Sequence, residues 1–441
     1  MATERFVLLG LAQVRSAWFR DVSRWSTSAL LPVEFVRTMS IEEVRVRLRS
    51  GRGYSALLID DSITGLDRDL VDEALDGGCA VLVVASGRAV RSWVDLGASA
   101  LLPTGFTHDE LLQTLAQVAT PIAQSTEPVP GPATNVTPTG FRGRLVAVTG
   151  AGGTGTSTMA MAVAQGLASD PRHAGLVCLA DFALHGEQAM LHGSPDVVPG
   201  VTELVEAHRT GTPTVDAVRS LTWQVVERGY HLLLGLRRHR DWTSIRPRAF
   251  EAALDGLRRG FRVVVADVDP DVEGERTTGS TDVEERNLVA RVTLAGADLA
   301  VVVGTPDMKG LHSMLRVTRD LLDHGVDGRR VLPIVNHAPR SPRLRAELTR
   351  SFGELLVASA GDCGTPTPIH LPSRRQLDLV LRDGARLPDG WVAPVSSAVQ
   401  AVLDGMEPVD GQAPLAAEPV AVAPGSLGTW AAQGEVDEGA I

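Results

Sequence analysis

Leu145-Val-Ala-Val-Thr-Gly150-Ala-Gly-Gly-Thr-Gly155-Thr-Ser157-Thr-Met159 decides the fold of the larger part of this chain. An apolar run stops at a glycine cluster. A second apolar pattern, with Met159, Met161, Val163, Ala164 and Leu167, opens at Ser157. The reading is strand, tight turn, helix. Such a turn suits an anion, because glycines let successive backbone N–H groups face one concavity and a helix N-terminus adds partial positive charge. The candidate phosphate-binding residues are Gly150, Gly152, Gly153, Thr154, Gly155, Thr156, Ser157 and Thr158, and the Ser157 hydroxyl is placed to reach Mg²⁺. The pattern G-x-x-x-x-G-K-[ST] is met at Gly150, Gly155 and Ser157 and broken at Thr156, where the lysine would stand. A glycine-rich turn that merely joins strand to helix is the plain alternative.

Outward from this stretch the pattern repeats. Further strand-like runs fall at 176–179, 231–234, 262–266, 299–303 and 331–335, interleaved with helical stretches, as in a doubly wound sheet. Residues 143–405 form this unit. Upstream, apolar runs at 6–11, 56–59, 80–85 and 100–102 alternate with helical stretches at 41–49 and 108–118, which indicates a smaller parallel α/β unit over residues 1–120. Residues 121–142 carry five prolines among small polar residues and read as a linker. Residues 406–441 hold acidic residues and no basic one, and read as a disordered acidic tail.

The 441 residues suit two or three domains, and 44% apolar composition is normal for a globular chain. Net charge is −11, which disfavours non-specific binding to nucleic acid or anionic lipid. Three distant cysteines, Cys79, Cys178 and Cys363, form neither a zinc spacing nor a disulfide framework. No signal-peptide pattern or membrane-length apolar run is seen, so a cytoplasmic protein is expected. Lys309 is the chain's single lysine. His185, His337 and Lys309 are expected at the surface.

The loop resembles the deviant Walker motif of the MinD/ParA family, K-G-G-x-G-K-[ST]. Ala151 stands where that family has its first lysine, which contacts nucleotide across a dimer interface, and Thr156 stands for the second, which reaches the β- and γ-phosphates. Threonine at that second position is similar to the TadZ/CpaE branch, which helps place tight-adherence pilus machinery, and to the actinobacterial septum-site-determining proteins. Leu179-Ala-Asp181-Phe-Ala183 resembles the first switch, D-x-D, with Ala183 where the water-positioning aspartate would be. Val263-Val-Val-Ala-Asp267 resembles the second switch, whose aspartate supports the Mg²⁺ shell. Asn336 falls at an adenine-binding asparagine, and Ile369-His-Leu-Pro372 at the loop closing over the base. The resemblance thus implies ATP and Mg²⁺ as cofactors, with Ser157 and Asp267 on the metal and Asn336 and Pro372 near the base. Residue by residue, Asp181 also suits a helix cap, Asn336 a turn and Asp267 an ordinary strand end.

The first unit resembles a response-regulator receiver domain, a flavodoxin-like fold. Asp60 or Asp61 matches the acceptor, Ser86 the Ser/Thr after the fourth strand, and Leu102-Pro-Thr104-Gly-Phe106 the x-x-K-P-F segment without its lysine. Gly10-Leu-Ala-Gln13 replaces the acidic pair that holds Mg²⁺, so a pseudo-receiver acting as a targeting module is expected.

Phosphoryl transfer depends on charge stabilisation and positioning. With two lysines and one carboxylate gone, the resemblance implies a homodimeric localisation scaffold with weak or no hydrolysis. It would serve a division, pilus or secretion machine through protein partners, touch no nucleic acid directly, and reach the membrane, pole or septum only through those partners. The rival readings are a partner-stimulated ATPase using an arginine such as Arg374 or Arg375, a DNA-segregation protein, and a phosphorylated receiver.

Overall fold

The computed structural model describes residues 5–13, 16–28, 30–86, 92–122, 141–194, 198–374 and 377–407. The segments read as linker and acidic tail fall almost wholly outside the described residues, as does Arg375. The chain forms two compact units. One comprises Met1–Thr139 with Val205–Thr214 and Ile245–Ala253, the other Gly140–Leu204, Val215–Ser244 and Leu254–Ile441.

The first unit holds five parallel strands, β1 (Phe6–Leu11), β2 (Val33–Arg37), β3 (Ala56–Asp60), β4 (Ala80–Ala85) and β5 (Ala100–Pro103), in the order β2-β1-β3-β4-β5. That is the flavodoxin-like order. The strands β1, β3 and β4 are apolar on both faces because helices cover both. Leu9, Leu57, Ile59, Val81 and Val83 enter one core, and Leu8, Leu58, Leu82 and Val84 the other. The edge strand β2 was not among the four sequence runs. Only Val33 of its five residues is buried, so Val33-Glu-Phe-Val-Arg37 lacks the continuous apolar signature. Gly10 lets β2 approach: a Cβ there would sit 2.3 Å from the Phe35 ring. The helices Ile41–Arg49 and His108–Val118 begin at Ser40 and Thr107, whose hydroxyls accept from Glu43 N and Glu110 N.

The second unit continues with β6 (Arg144–Gly150), β7 (Val177–Asp181), β8 (Trp223–Val225), β9 (Tyr230–Leu233), β10 (Val263–Asp267), β11 (Leu299–Gly304), β12 (Val331–Ala338) and β13 (Ile369–Pro372). Their order is β13-β12-β11-β6-β10-β7-β9-β8, all parallel except β8 against β9. Six strands match the sequence runs within two residues at their starts, and β8 and β13 are additional edge strands. Ile369–Pro372, expected as a loop, is therefore a strand. It pairs with β12 across a register shift between Val335 and Ala338, and Leu371 is fully buried.

The sheet order reverses around β6, so the glycine loop sits at the topological switch point, where open α/β sheets bind ligands. Its helix, Thr156–Ala168, is buried from Met159 to Gln165. The helix Asp389–Asp404 covers it through Trp391, Val392, Val395 and Val399. The two approach closely because Gly166 has no side chain: a Cβ there would meet Ser396 at 2.2 Å. Gln165, fully buried, donates to Leu387 O at 2.8 Å and accepts from Leu387 N at 2.8 Å.

Candidate functional site

The loop between β6 and its helix is fixed by a few small residues. Gly150 ends the strand against β11, and a Cβ there would lie 2.4 Å from the Val303 carbonyl. Gly155 is the helix N-cap in the left-handed region, with φ 88°, and a Cβ on it would lie 2.6 Å from Asn336 Nδ2. Gly153 is also left-handed, and a Cβ on Gly152 or Gly153 would meet nothing within 4 Å. The loop is thus braced on its inner side and open on its outer side.

The inner brace consists of hydroxyls and one amide. Thr154 is 4% exposed, and its Oγ1 donates to Ala151 O at 2.7 Å. Thr156 Oγ1, at the missing lysine's position, lies 3.1 Å from Thr154 Oγ1. Asn336 Nδ2 donates to Thr154 O at 2.9 Å, while its Oδ1 accepts from His337 N. The amide expected near a nucleotide base is here bonded to the loop itself. Because Gly155 carries no side-chain cap, the first-turn amides of Thr156, Ser157 and Thr158 have no capping acceptor. Pro372 ends β13, opposite Ala338.

Two aspartates stand beside the loop. Asp181 ends β7 and Asp267 ends β10, in register with each other and 1% and 2% exposed. The Ser157 side chain lies beside the Asp267 carboxylate. Gln188 joins the three: its backbone N donates to Asp181 Oδ2 at 3.0 Å, and its Nε2 donates to Asp267 Oδ2 at 2.8 Å and to Ser157 O at 3.1 Å. Burial pushes the Asp181 carboxyl well above the usual range, and the neighbouring Asp267 charge adds to this. Burial likewise pushes Asp267 up to about 6, against the opposing influence of the Gln188 and Ser157 side chains. Backbone packs directly on Asp181, since a Cβ on Gly186 or Gly235 would fall within 3 Å of its carboxylate. Ala183 brings no carboxylate to the site.

The structure gathers Gly150 to Thr158, Asn336, Asp181 and Asp267 at one sheet edge. It does not bring a cationic side chain into hydrogen bonding with any of them among the described residues. Lys309 is exposed on the first turn of the helix Met308–Asp323. Arg374 is exposed, and its guanidinium lies within reach of a Cβ built on Gly390. His185 and His337 are exposed as expected, although His185 stacks on His239 at 4.3 Å and His337 has φ 56°.

Sequence reasoning missed Gln188. It lies 31 residues from Ser157 and 79 from Asp267, in no motif spacing. Only the parallel register of β7 and β10 brings it to both.

The chemistry of the donors can be compared with ATP and Mg²⁺. Free first-turn amides and an open outer loop suit phosphate oxygens. A hydroxyl and a carboxylate are the hard oxygens Mg²⁺ takes alongside phosphates and waters. No cluster of three or more His, Cys, Asp or Glu suited to a metal occurs among the described residues. Any cation here would therefore rely on a phosphate ligand, with Ser157 and Asp267 as the chain's contribution.

In the first unit, Asp60 Oδ1 accepts from Ser62 N and Ser62 Oγ, and Oδ2 accepts from the Trp18 indole at 3.3 Å. Asp61 Oδ2 accepts from Ser86 N at 2.9 Å and Ser86 Oγ at 3.1 Å. Asp61 and Ser86 thus meet, while Trp18, 3% exposed, covers Asp60. Cys79 and Cys178 are buried free thiols and Cys363 is half-buried. No helix among the described residues is long and apolar enough to cross a membrane.

A glycine loop between a central parallel strand and a helix, at the switch point of a doubly wound sheet, defines the second unit as an α/β fold of the P-loop NTPase type. No family model matches the sequence, and no curated protein does. Among solved structures, the chain is similar to a ParA family ATPase from Chlorobium tepidum TLS, with 15% identity, TM-score 0.45, and coverage of 59% of this chain and 98% of the other. It is also similar to the cell division ATPase MinD of Pyrococcus furiosus, with 15% identity, TM-score 0.44, and 59% and 99% coverage. A third is the MinC:MinD cell division protein complex of Aquifex aeolicus, with 17% identity, TM-score 0.42, and 61% and 98% coverage.

Proposed function

We propose that this chain is a nucleotide-responsive localisation or regulatory scaffold of the MinD/ParA type, in which a degenerate loop binds ATP with Mg²⁺ and hydrolyses it slowly or not at all. One observation carries the reading: the backbone cradle is intact while its charges are gone. Gly150 and Gly155 are sterically required, the helix start is uncapped, and Ser157 lies beside Asp267. Ala151, Thr156 and Ala183 stand where two lysines and a water-positioning carboxylate would act, and the Thr154–Thr156 hydroxyl contact fills the inner side. The loop amides would take the phosphates, and Ser157 and Asp267 would face the cation. Bound Mg²⁺ would supply charge neutralisation of the phosphates. Losing one preorganised donor removes about 3 kcal/mol of transition-state stabilisation, so losing several leaves little turnover.

The scaffold would act as a homodimer. It would place division-site or tight-adherence pilus and secretion machinery through protein partners, working at the cytoplasmic face of the pole, septum or inner membrane without touching DNA. The first unit, a pseudo-receiver with Asp60 covered by Trp18, would choose the address.

Calorimetry of ATP binding with Mg²⁺ tests this reading, alongside Ser157→Ala and Asp267→Ala. Micromolar binding lost in both variants is the expected result. No binding to the folded wild-type chain would overturn nucleotide control. Rapid turnover on adding a purified partner would favour an active ATPase instead.

A further inference from the structure

The cluster around Gln188 is satisfied in an unusual way. Ser157 O can only accept, as can the ionised Asp267 Oδ2, so the NH₂ group must face them. Its Oε1 is then left buried without a partner among the described residues, as is Asp181 Oδ1. A buried polar atom left unpaired is destabilising, so the arrangement holds the loop while remaining incompletely paired. The Asp267 carboxylate and the Ser157 hydroxyl are the groups that a cation–phosphate group would need; Gln188 already engages the carboxylate, and it holds Ser157 by the backbone carbonyl.

Gln188 is itself held from behind. His192 Nδ1 lies 2.7 Å from Gln188 O, and His192 Nε2 lies 2.7 Å from the Tyr230 hydroxyl. A carbonyl only accepts, so Nδ1 carries the proton and Nε2 accepts from Tyr230. Burial pushes His192 down to about 4, so the ring is neutral, as this direction requires. The guanidinium of Arg228, 1% exposed, faces the Tyr230 oxygen and donates to Ala385 O at 3.1 and 3.2 Å. A one-way series of donors thus runs from Tyr230 through His192 to Gln188, and from Gln188 to Asp181, Asp267 and Ser157.

We propose that Gln188 sets the loop's dependence on a divalent cation: its amide ties the Asp267 carboxylate to the Ser157 carbonyl in the resting chain, and a cation-bound nucleotide engages Asp267 fully only when Gln188 releases it. His192 and Tyr230 are positioning residues that hold Gln188 in this place. The inference rests on the nucleotide-binding reading above, and the test separates the two. ATP affinity is measured by calorimetry in Mg²⁺ and in EDTA for the wild type, Gln188→Ala, the near-isosteric Gln188→Met, and Tyr230→Phe. Mg²⁺ should strengthen wild-type binding, since the Ser157 hydroxyl stays available to the cation. It should strengthen binding by about a further tenfold in the Gln188 variants, the size expected for freeing one hydrogen-bonded carboxylate, and by an intermediate further factor in Tyr230→Phe. An Mg²⁺ effect unchanged by the substitutions would overturn the proposal.

If no variant binds nucleotide under either condition, the nucleotide reading fails, and amide hydrogen exchange without nucleotide decides on Gln188 alone. Its loss should accelerate exchange about tenfold at residues 159–161 as well as at 181–188. Acceleration confined to 181–192 would show that Gln188 does not hold the loop.

Discussion

Both units end a central parallel strand in aspartate, and the two neighbourhoods differ sharply. In the first, Asp60 and Asp61 are served by local donors: Ser62 two residues on, Ser86 from the next strand end, and one indole. In the second, Asp181 and Asp267 face each other across neighbouring strands, sealed by glycine backbone and joined by Gln188. Strand-end carboxylates at a switch point do not determine a site by themselves. The donors that reach them do, along with the depth at which they are held.

The comparison can be broken from either side. The largest effect is expected from Gly150→Val. The added side chain meets the Val303 carbonyl rather than a flexible neighbour, so the second unit should lose about 4 kcal/mol or fail to fold. Soluble yield and a urea melt followed by circular dichroism will show this, and a native melt would refute the steric role given to Gly150. Trp18→Ala should cost the first unit about 3–5 kcal/mol as a large-to-small core change, while Trp18→Phe should cost about 1–2 kcal/mol by removing the bond to Asp60 with a smaller loss of core volume. Equal melting shifts for the two variants would mean that the indole N–H, not packing, matters most.

A pH series sharpens the contrast. Asp267 has a folded-state pKa above its ordinary value, so the unfolded chain gives up its proton first. Stability from this group is fully present below 3.8 and is lost as pH rises through about 6, by about 3 kcal/mol in all. Asp181, raised in the same direction and coupled to Asp267, extends that loss. Asp267→Asn should flatten the decline, as read from urea midpoints between pH 4 and pH 8. A parallel decline in variant and wild type would show that the charge is not buried as described. The smallest effect belongs to Ser86→Ala, at about 0.5–1 kcal/mol, because Asp61 keeps its bond from the Ser86 backbone N.

Much of this was legible in the sequence where one residue type has one physical use. Glycines at 150 and 155 mark a turn that no side chain tolerates, and both proved sterically required. Strands buried on two faces are continuous apolar runs, so β1, β3, β4, β6 and β11 were readable directly. The edge strands β2, β8 and β13 were not, because one-sided burial leaves short or alternating patterns. Gln188, His192 and Tyr230 were equally hidden. Their meeting depends on which strands pair and in what register, and no spacing along the chain encodes that. Trp18 stands in no motif, and only the end of β3 shows that its indole N–H has a carboxylate to serve.

The clasp between Gln165 and Leu387 has a consequence for how the protein is made. Its two ends are 222 residues apart in the chain. At about 5–20 residues per second, the ribosome adds the second end roughly 10–45 seconds after the first. During that interval the helix behind the glycine loop has been synthesised, but the partner that buries its outer face has not. The glycine-loop region is therefore among the last parts of the molecule to mature, and a nascent chain stalled before residue 387 would carry the whole loop sequence without its finished support.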